Sequence, residues 1–119
     1  MERGQLFVVG LGPGDHNQMT YRAKKVITES EVIIGYDTYI NLIEDLIVGK
    51  EIHRYPMTQE VDRANQAIRT AEAGKKVSLV SSGDPGIYGM IGLVYEILAE
   101  RNWERDNGIY VECVPGVSS

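Results

Sequence analysis

The chain has 119 residues, which is enough for one domain with its own hydrophobic core, and its only cysteine, Cys113, excludes an internal disulfide. Its 12 basic and 17 acidic residues give a net charge of -5, which argues against a surface that binds nucleic acid. No segment approaches the ~20 apolar residues of a membrane helix and the first residues lack a signal-peptide pattern, so we expect a cytoplasmic protein without a membrane partner.

Short apolar runs predict five β-strands. In chain order they cover residues 6–9, 32–34, 51–55, 77–80 and 109–114. Runs without strict alternation of apolar and polar residues are typical of strands covered on both faces, as in a parallel sheet. The third run is more polar and is closed by a proline, which places that strand at or near an edge of the sheet.

Between the strands, apolar residues recur at helical spacing and predict four helices. The first helix begins near Thr20, the second is short and ends before Gly49, and the third ends at Gly74. The fourth is apolar on almost every side over residues 87–98, which leaves two explanations open. It is either a central helix inside this domain or a contact with a second domain or subunit.

The third helix has an amphipathic pattern. It is expected to bury Val61, Ala64, Ile68 and Ala71 and to expose Arg63. Because strands and helices alternate along the chain, right-handed βαβ units are expected. The predicted fold class is α/β, with a mainly parallel five-stranded sheet flanked by helices.

Four unusual loops follow predicted strands, at residues 10–15, 35–39, 81–89 and 115–119. In a parallel sheet the carboxyl ends of the strands lie at one edge, and ligands of open α/β sheets bind there. We therefore expect the four loops to meet and to form the functional site.

The first loop, GLGPGD, is similar to a dinucleotide-binding turn but departs from it in two ways. Asp15 replaces the third glycine of G-x-G-x-x-G and would repel a diphosphate, and Pro13 lacks a backbone N–H. A glycine turn with a purely structural role is the second explanation. The sequence therefore disfavours a nucleotide phosphate at this loop.

The loop at residues 81–89 is glycine-rich, so its backbone can approach a ligand closely. Asp84 can accept hydrogen bonds from a ribose diol or an ammonium group, and a helix that begins near Ile87 would direct free N–H groups to the same edge. The alternative is a turn in which Asp84 caps the helix. His16 and His53 lack metal-ligand spacing, so no metal site is predicted.

Three motifs together resemble the N-terminal motifs of the tetrapyrrole methylases, a family of S-adenosylmethionine-dependent enzymes. They are GLGPGD at residues 10–15, SGDP at 82–85 and VPGVSS at 114–119, in the order and spacing of that family. Each motif is weak alone, but three in order on alternating strands are specific. Within the family, residues 35–39 and 81–90 look most like the enzymes that methylate carbon 17 of precorrin-3, although Asp37 departs from the lysine that is frequent there.

The resemblance implies S-adenosylmethionine-dependent methyl transfer to a ring carbon of a precorrin-3-type tetrapyrrole, cobalt-bound or metal-free, in cobalamin biosynthesis. The residues implied to bind the cofactor are Pro13, Ser82, Gly83, Asp84, Ile87, Ser118 and Ser119. Those implied to face the tetrapyrrole are Gly12, Gly14 and Asp15. Asp37 is the implied candidate for proton transfer, with a helix N-cap as its alternative role. Arg22 is either a cation for substrate carboxylates or a solvated helix residue.

The resemblance also implies that residues 1–119 are the N-terminal α/β domain of a two-domain methyltransferase, with the cofactor between the domains. The full-length enzyme is expected to be a homodimer, and this domain is expected to be inactive alone. Another tetrapyrrole methylase, acting on uroporphyrinogen or another precorrin, and diphthine synthase are the close alternatives. A non-catalytic nucleotide-binding domain is the alternative from a different class.

Overall fold

The computed structural model describes residues 3–11, 19–83, 86–104 and 108–115. The strands are β1 (Gln5–Leu11), β2 (Val32–Tyr36), β3 (Glu51–Tyr55), β4 (Lys76–Ser82) and β5 (Tyr110–Val114). They pair only in parallel, in one sheet of order β3-β2-β4-β1-β5. The predicted fold class is confirmed, and so is the position of the polar third strand at an edge.

The described residues contain four α-helices, as predicted. They are α1 (Tyr21–Glu29), α2 (Asp37–Asn41), α3 (Glu60–Glu72) and α4 (Gly86–Glu100). Thr20 caps α1, since its side-chain oxygen accepts a hydrogen bond of 3.1 Å from the backbone N–H of Ala23. The predicted second helix is shorter than its apolar pattern, because α2 is followed by a 3-10 turn at Glu44–Leu46. Ile43 and Ile47 are nevertheless buried.

Helices cover both faces of the sheet. Along β1, Leu6 and Val8 belong to a core cluster that includes residues of α3 and α4, whereas Phe7 and Val9 belong to a second cluster that includes residues of α1 and α2. This alternation follows from the period of two in a strand. Burial of a large aliphatic side chain contributes about 1.5–3 kcal/mol, so the two clusters hold the three layers together.

The prediction for the buried face of α3 is partly wrong. Ala64, Ile68 and Ala71 are buried as expected, but Val61 is 54% exposed and Arg63 is only 8% exposed. A helix advances by about 100° per residue, so the buried face centres near Ala71 and the two misjudged residues lie on its opposite flanks. Which flank is buried depends on the elements packed against α3, and they cover the flank that carries Arg63 and leave that of Val61 exposed.

Helix α4 buries one face in the core, through Ile87, Met90, Val94 and Leu98. Its other face is open: Tyr88 is 56% exposed. The interpretation of α4 as a helix surrounded within this domain is therefore wrong.

In the part of the chain that the structure describes, no helix is long and apolar enough to cross a membrane.

Candidate functional site

The carboxyl ends of four strands reach one edge of the sheet at matching levels. Gly10 of β1 is in register with Ser81 of β4, and Gly35 of β2 is in register with Val80. Val114, the last residue of β5, pairs with Val9 of β1. The four loops predicted to carry the site therefore leave the sheet from one row of residues, which we call the carboxyl edge.

Several predicted site residues lie outside the described residues. They are Gly12, Pro13, Gly14, Asp15, Asp84, Ser118 and Ser119. Ser82 was expected in a loop but is the last residue of β4, and Gly83 follows it directly. The carbonyl of Gly83 accepts a hydrogen bond of 3.3 Å from the N–H of Ile87, whose side chain is buried in the core.

The first turn of α4 approaches the end of β4 closely because Gly86 has no side chain. A Cβ atom at Gly86 would lie 1.8 Å from the Oγ atom of Ser82. The first turn of α4 and the hydroxyl of Ser82 are consequently held side by side at the carboxyl edge. A hydroxyl packed against backbone in this way suits a polar ligand that is held by main-chain and side-chain hydrogen bonds together.

A cavity of about 320 Å³ opens at the carboxyl edge, between the ends of β2 and β4 and the first turns of α3 and α4. Its walls include Tyr36, Tyr39, Thr58, Arg63, Ser81 and Ser82. Ligand sites for small molecules usually measure about 300–1,000 Å³ and combine an apolar lining with a few polar groups. This cavity, with two tyrosines, two serines and one arginine on its walls, has that character.

Two features of the cavity wall are unusual. Arg63 is buried, and its Nε atom has no hydrogen-bond partner among the described residues. Thr58 has φ +80, a left-handed conformation that is a genuine outlier for a β-branched residue. Strained backbone and unsatisfied buried groups concentrate at functional sites. Sequence reasoning missed Arg63 as a site residue. The one sequence signal for its burial is its position four residues before Ala67, which lies on the buried face of α3.

Asp37 lies at the carboxyl edge but does not cap α2. The N-cap position is Tyr36, and the helix has no side-chain cap hydrogen bond. Instead, the Oδ1 atom of Asp37 accepts a hydrogen bond of 2.6 Å from Nη1 of Arg54, and Asn41 Oδ1 accepts one of 2.8 Å from the same atom. Asp37 is a half-exposed carboxylate held by β3, and the alternative N-cap role is wrong.

Arg22 is already paired, so it is not an unengaged cation for substrate. Its Nη2 atom donates to both carboxylate oxygens of Glu112 at 2.8 Å, and Tyr110 donates to Oε1 at 2.6 Å. Burial acts to raise the pKa of Glu112, but the hydrogen bonds from Arg22 and Tyr110 outweigh it, and the pKa of this carboxyl is lowered. The same pairing raises the pKa of Arg22.

A larger cavity, of about 460 Å³, lies at the opposite end of the sheet beside Gly4 and Trp103. Size alone would favour it as a ligand site, but its arginine Arg101 and its tryptophan already have partners. Arg101 forms an ion pair with Glu72, and the indole N–H of Trp103 donates to the carbonyl of Ile109 at 3.0 Å. The smaller cavity is the better candidate, because there the Nε atom of a buried arginine lacks a hydrogen-bond partner among the described residues.

The described residues do not form a metal-binding site that would compete with the carboxyl edge as the candidate site. No group of three or more His, Cys, Asp or Glu residues is arranged there to hold a metal ion. His53 lies on β3 with Nε2 2.6 Å from Oε2 of Glu51, which identifies it as a surface pairing residue. The candidate site therefore consists of the carboxyl edge and its cavity.

Known proteins share both the sequence and the fold. Residues 5–119 match the family of tetrapyrrole (corrin/porphyrin) methylases. The chain is 49% identical over 117 residues to a cobalt-factor III methyltransferase of Priestia megaterium. The matched region covers 98% of this chain and 22% of that protein. The chain is 37% identical over 114 residues to a probable cobalt-factor III C(17)-methyltransferase of Salmonella typhimurium, which covers 96% of this chain and 46% of that protein.

Among solved structures, the methyltransferase CobJ superposes with a TM-score of 0.82 at 32% identity, covering 98% of this chain and 47% of CobJ. A uroporphyrin-III C-methyltransferase of Thermus thermophilus in complex with S-adenosylhomocysteine superposes with a TM-score of 0.67 at 25% identity, over 97% of this chain and 46% of that one. The chain thus spans half or less of the length of these relatives.

Proposed function

We propose that this chain, which belongs to the family of tetrapyrrole (corrin/porphyrin) methylases, forms part of an enzyme of cobalamin biosynthesis. This enzyme methylates carbon 17 of a precorrin-3-type tetrapyrrole. Relatives named as cobalt-factor III methyltransferases support this choice within the family. The structural observation that carries the proposal is the shared carboxyl edge: the strands that lead into the three family motifs, β1, β4 and β5, end there together, and Ser82 of the second motif lines the cavity at that edge.

We further propose that S-adenosylmethionine is the methyl donor, which supplies a methyl group on a positively charged sulfur. The described residues fit such a ligand, because Ser82 places a hydroxyl on the cavity wall and Gly86 lets the first turn of α4 approach it closely. The solved relative in complex with S-adenosylhomocysteine supports this choice. The proposed cofactor residues are Pro13, Ser82, Gly83, Asp84, Ile87, Ser118 and Ser119, and the proposed tetrapyrrole residues are Gly12, Gly14 and Asp15.

The residues of the chain would then act mainly by position. Alignment of a methyl donor with an electron-rich ring carbon and exclusion of water supply most of what such a reaction needs. Asp37 is the proposed group for proton transfer, and Arg54 holds its carboxylate at the carboxyl edge at 2.6 Å. This division of roles agrees with a cavity that has few acidic or basic groups.

The proposal also covers the rest of the enzyme, its oligomeric state and its location. We propose that residues 1–119 are the N-terminal domain of a two-domain enzyme, consistent with the 46% and 47% coverage of the Salmonella protein and CobJ. The enzyme is proposed to act in the cytoplasm as a homodimer. The isolated domain should have no methyltransferase activity.

Binding and turnover by the two-domain protein test this function. Isothermal titration should detect S-adenosylhomocysteine but neither NAD nor ATP, and labelled S-adenosylmethionine should transfer one methyl group to cobalt-factor III. Binding of NAD or ATP without binding of S-adenosylhomocysteine would instead identify a non-catalytic nucleotide-binding domain. Turnover by residues 1–119 alone would refute the proposed role of a second domain.

A further inference from the structure

Arg63 is a buried cation whose surroundings do not explain its burial. It lies in the first turn of α3, and only 8% of it is exposed. Among the described residues, its Nε atom has no hydrogen-bond partner and no ion pair includes Arg63. Burying a charged group without a partner is costly, so such a group is normally paired. The missing partner is expected to be a ligand.

The cavity at the carboxyl edge gives Arg63 access to a ligand. Arg63 lines this space, together with the ends of β2 and β4 and their Tyr36, Ser81 and Ser82. Gln59, at the N-cap of α3, makes no side-chain cap hydrogen bond, so the helix also presents free N–H groups near Arg63. Positive partial charge and a full positive charge therefore occur together at one wall.

The charges around the cavity favour an anion with hydrogen-bond acceptors. The exposed carboxylate of Glu60 also lies on the cavity wall and partly opposes the positive charge. The hydroxyls of Ser81 and Ser82 can donate to an anionic oxygen. A guanidinium presents parallel N–H groups that match the two oxygens of a carboxylate.

We propose that Arg63 binds a carboxylate of the ligand at the carboxyl edge. This inference rests on the proposed function, which offers two sources of that group. One is a side-chain carboxylate of the tetrapyrrole, and the other is the carboxylate of the methionyl part of S-adenosylmethionine. Arg63 pairs with the carboxylate directly, while Ser81, Ser82 and the first turn of α3 surround it with donors.

The test uses the two-domain protein and measures dissociation constants for three stable probes. Uroporphyrin III carries the tetrapyrrole carboxylates, S-adenosylhomocysteine carries the methionyl carboxylate, and 5′-methylthioadenosine lacks it. Arg63→Gln should weaken one of the first two probes by roughly 10- to 100-fold, the range expected for loss of a charge-assisted hydrogen bond. Arg63→Lys, which keeps the charge but loses the planar geometry, should fall between wild type and Arg63→Gln.

The control is Arg69→Gln, which removes one positive charge from an exposed position of the same helix. It should leave all three constants unchanged within twofold. A loss confined to uroporphyrin III identifies the tetrapyrrole as the source of the carboxylate. A loss for S-adenosylhomocysteine but not for 5′-methylthioadenosine identifies the methionyl group.

Unchanged binding of both carboxylate probes by Arg63→Gln overturns the inference while leaving the proposed function intact. If the wild-type protein binds none of the probes, the proposed function itself fails and the inference fails with it. Thermal unfolding separates binding from folding. Removing an unpaired buried charge should leave the Tm of Arg63→Gln equal to or above that of wild type, whereas a marked loss of Tm would show that Arg63 serves the fold and not a ligand.

Discussion

The two ends of the parallel sheet differ in whether their polar groups are paired. At the end where the strands begin, charges are paired: Lys76 with Glu29, Lys75 with Glu51, and Arg101 with Glu72. At the carboxyl edge, Arg63 is buried with no partner for its Nε atom in the described part of the chain, and Thr58, on the wall of the same cavity, has a strained φ of +80. The charges where the strands begin thus stabilise the fold, while the carboxyl edge, besides its Asp37–Arg54 ion pair, keeps an unsatisfied buried group for a ligand.

This contrast explains why the larger cavity is the poorer candidate site. The volume beside Gly4 is greater, but Arg101 and Trp103 on its wall already bond to other parts of the chain. Unmet hydrogen-bonding capacity, more than volume, indicates where a polar ligand binds. Substitutions at the beginning of the strands should therefore change stability, and substitutions at the carboxyl edge should change function.

The largest effect is expected for Gly4→Ala, where the strands begin. A Cβ atom at Gly4 would lie 1.6 Å from the carbonyl oxygen of Ala71, and the Gly4 carbonyl accepts a 2.9 Å hydrogen bond from the N–H of Tyr110. Relief requires movement of α3 or of β1, so the free energy of unfolding should fall by about 3 kcal/mol or more. Urea denaturation followed by circular dichroism measures this loss.

Gly92→Ala is the matched control for that substitution. Gly92 lies within α4, and a Cβ atom there has no neighbour within 4 Å among the described residues. Alanine should therefore raise stability by roughly 0.5–1 kcal/mol through its better helix propensity. Equal destabilisation by the two substitutions would show that the close packing of Gly4 against α3 is not what matters.

The next effect concerns Asp37 at the carboxyl edge. Asp37→Asn removes a proton acceptor but keeps an oxygen that can accept from Arg54, so kcat should fall by about 100-fold or more with little loss of stability. The dissociation constant for S-adenosylhomocysteine should stay within about twofold. Single-turnover methylation by the two-domain enzyme, together with titration calorimetry, measures both quantities.

Glu44 provides the control for Asp37, because its carboxylate also approaches Arg54, at 3.6 Å. Glu44→Gln should leave the rate of methylation unchanged. If Asp37→Asn retains the wild-type rate, Asp37 has no part in proton transfer and only anchors Arg54. If both substitutions slow the reaction equally, Arg54 is the important group.

The smallest effect is expected from an ion pair at the beginning of the strands. The hydrogen bond from Lys76 lowers the pKa of Glu29 below its ordinary value of 4.5. A lowered pKa in the folded state means that the pair stabilises the protein at neutral pH and that this contribution disappears as the pH falls through and below that value. Glu29→Gln should therefore lower the urea midpoint slightly at neutral pH and not at all in acid. A difference that persists well below pH 4.5 would contradict this origin.

The strands and their parallel pairing could be predicted because buried strands show as apolar runs. The strand ends could not, since Gly10, Gly35 and Ser82 extend the strands although they are not apolar. Their backbone groups pair with neighbouring strands whatever their side chains are. Sequence reasoning therefore placed the serines and glycines of the site in loops, when several of them close the strands.

The candidate site was predicted in outline but not in its electrostatics. Sequence motifs located Ser82, Gly83 and the common edge, since parallel strands must end together. Arg63 was expected to be exposed, because a helical pattern does not reveal which flank of a helix its neighbours cover. The pairing of Asp37 with Arg54 also depends on β3 lying beside β2, which no local pattern of the sequence specifies.

The order of the strands has a consequence for how this chain behaves in solution. The two outermost strands, β3 and β5, are also the two in which charged side chains interrupt the apolar residues, with Glu51 and Arg54 on one and Glu112 on the other. An exposed strand edge invites another chain to add to the sheet, and charges discourage this aggregation. The interior strands β1, β2 and β4, which could form intermolecular sheets most readily, are shielded between them.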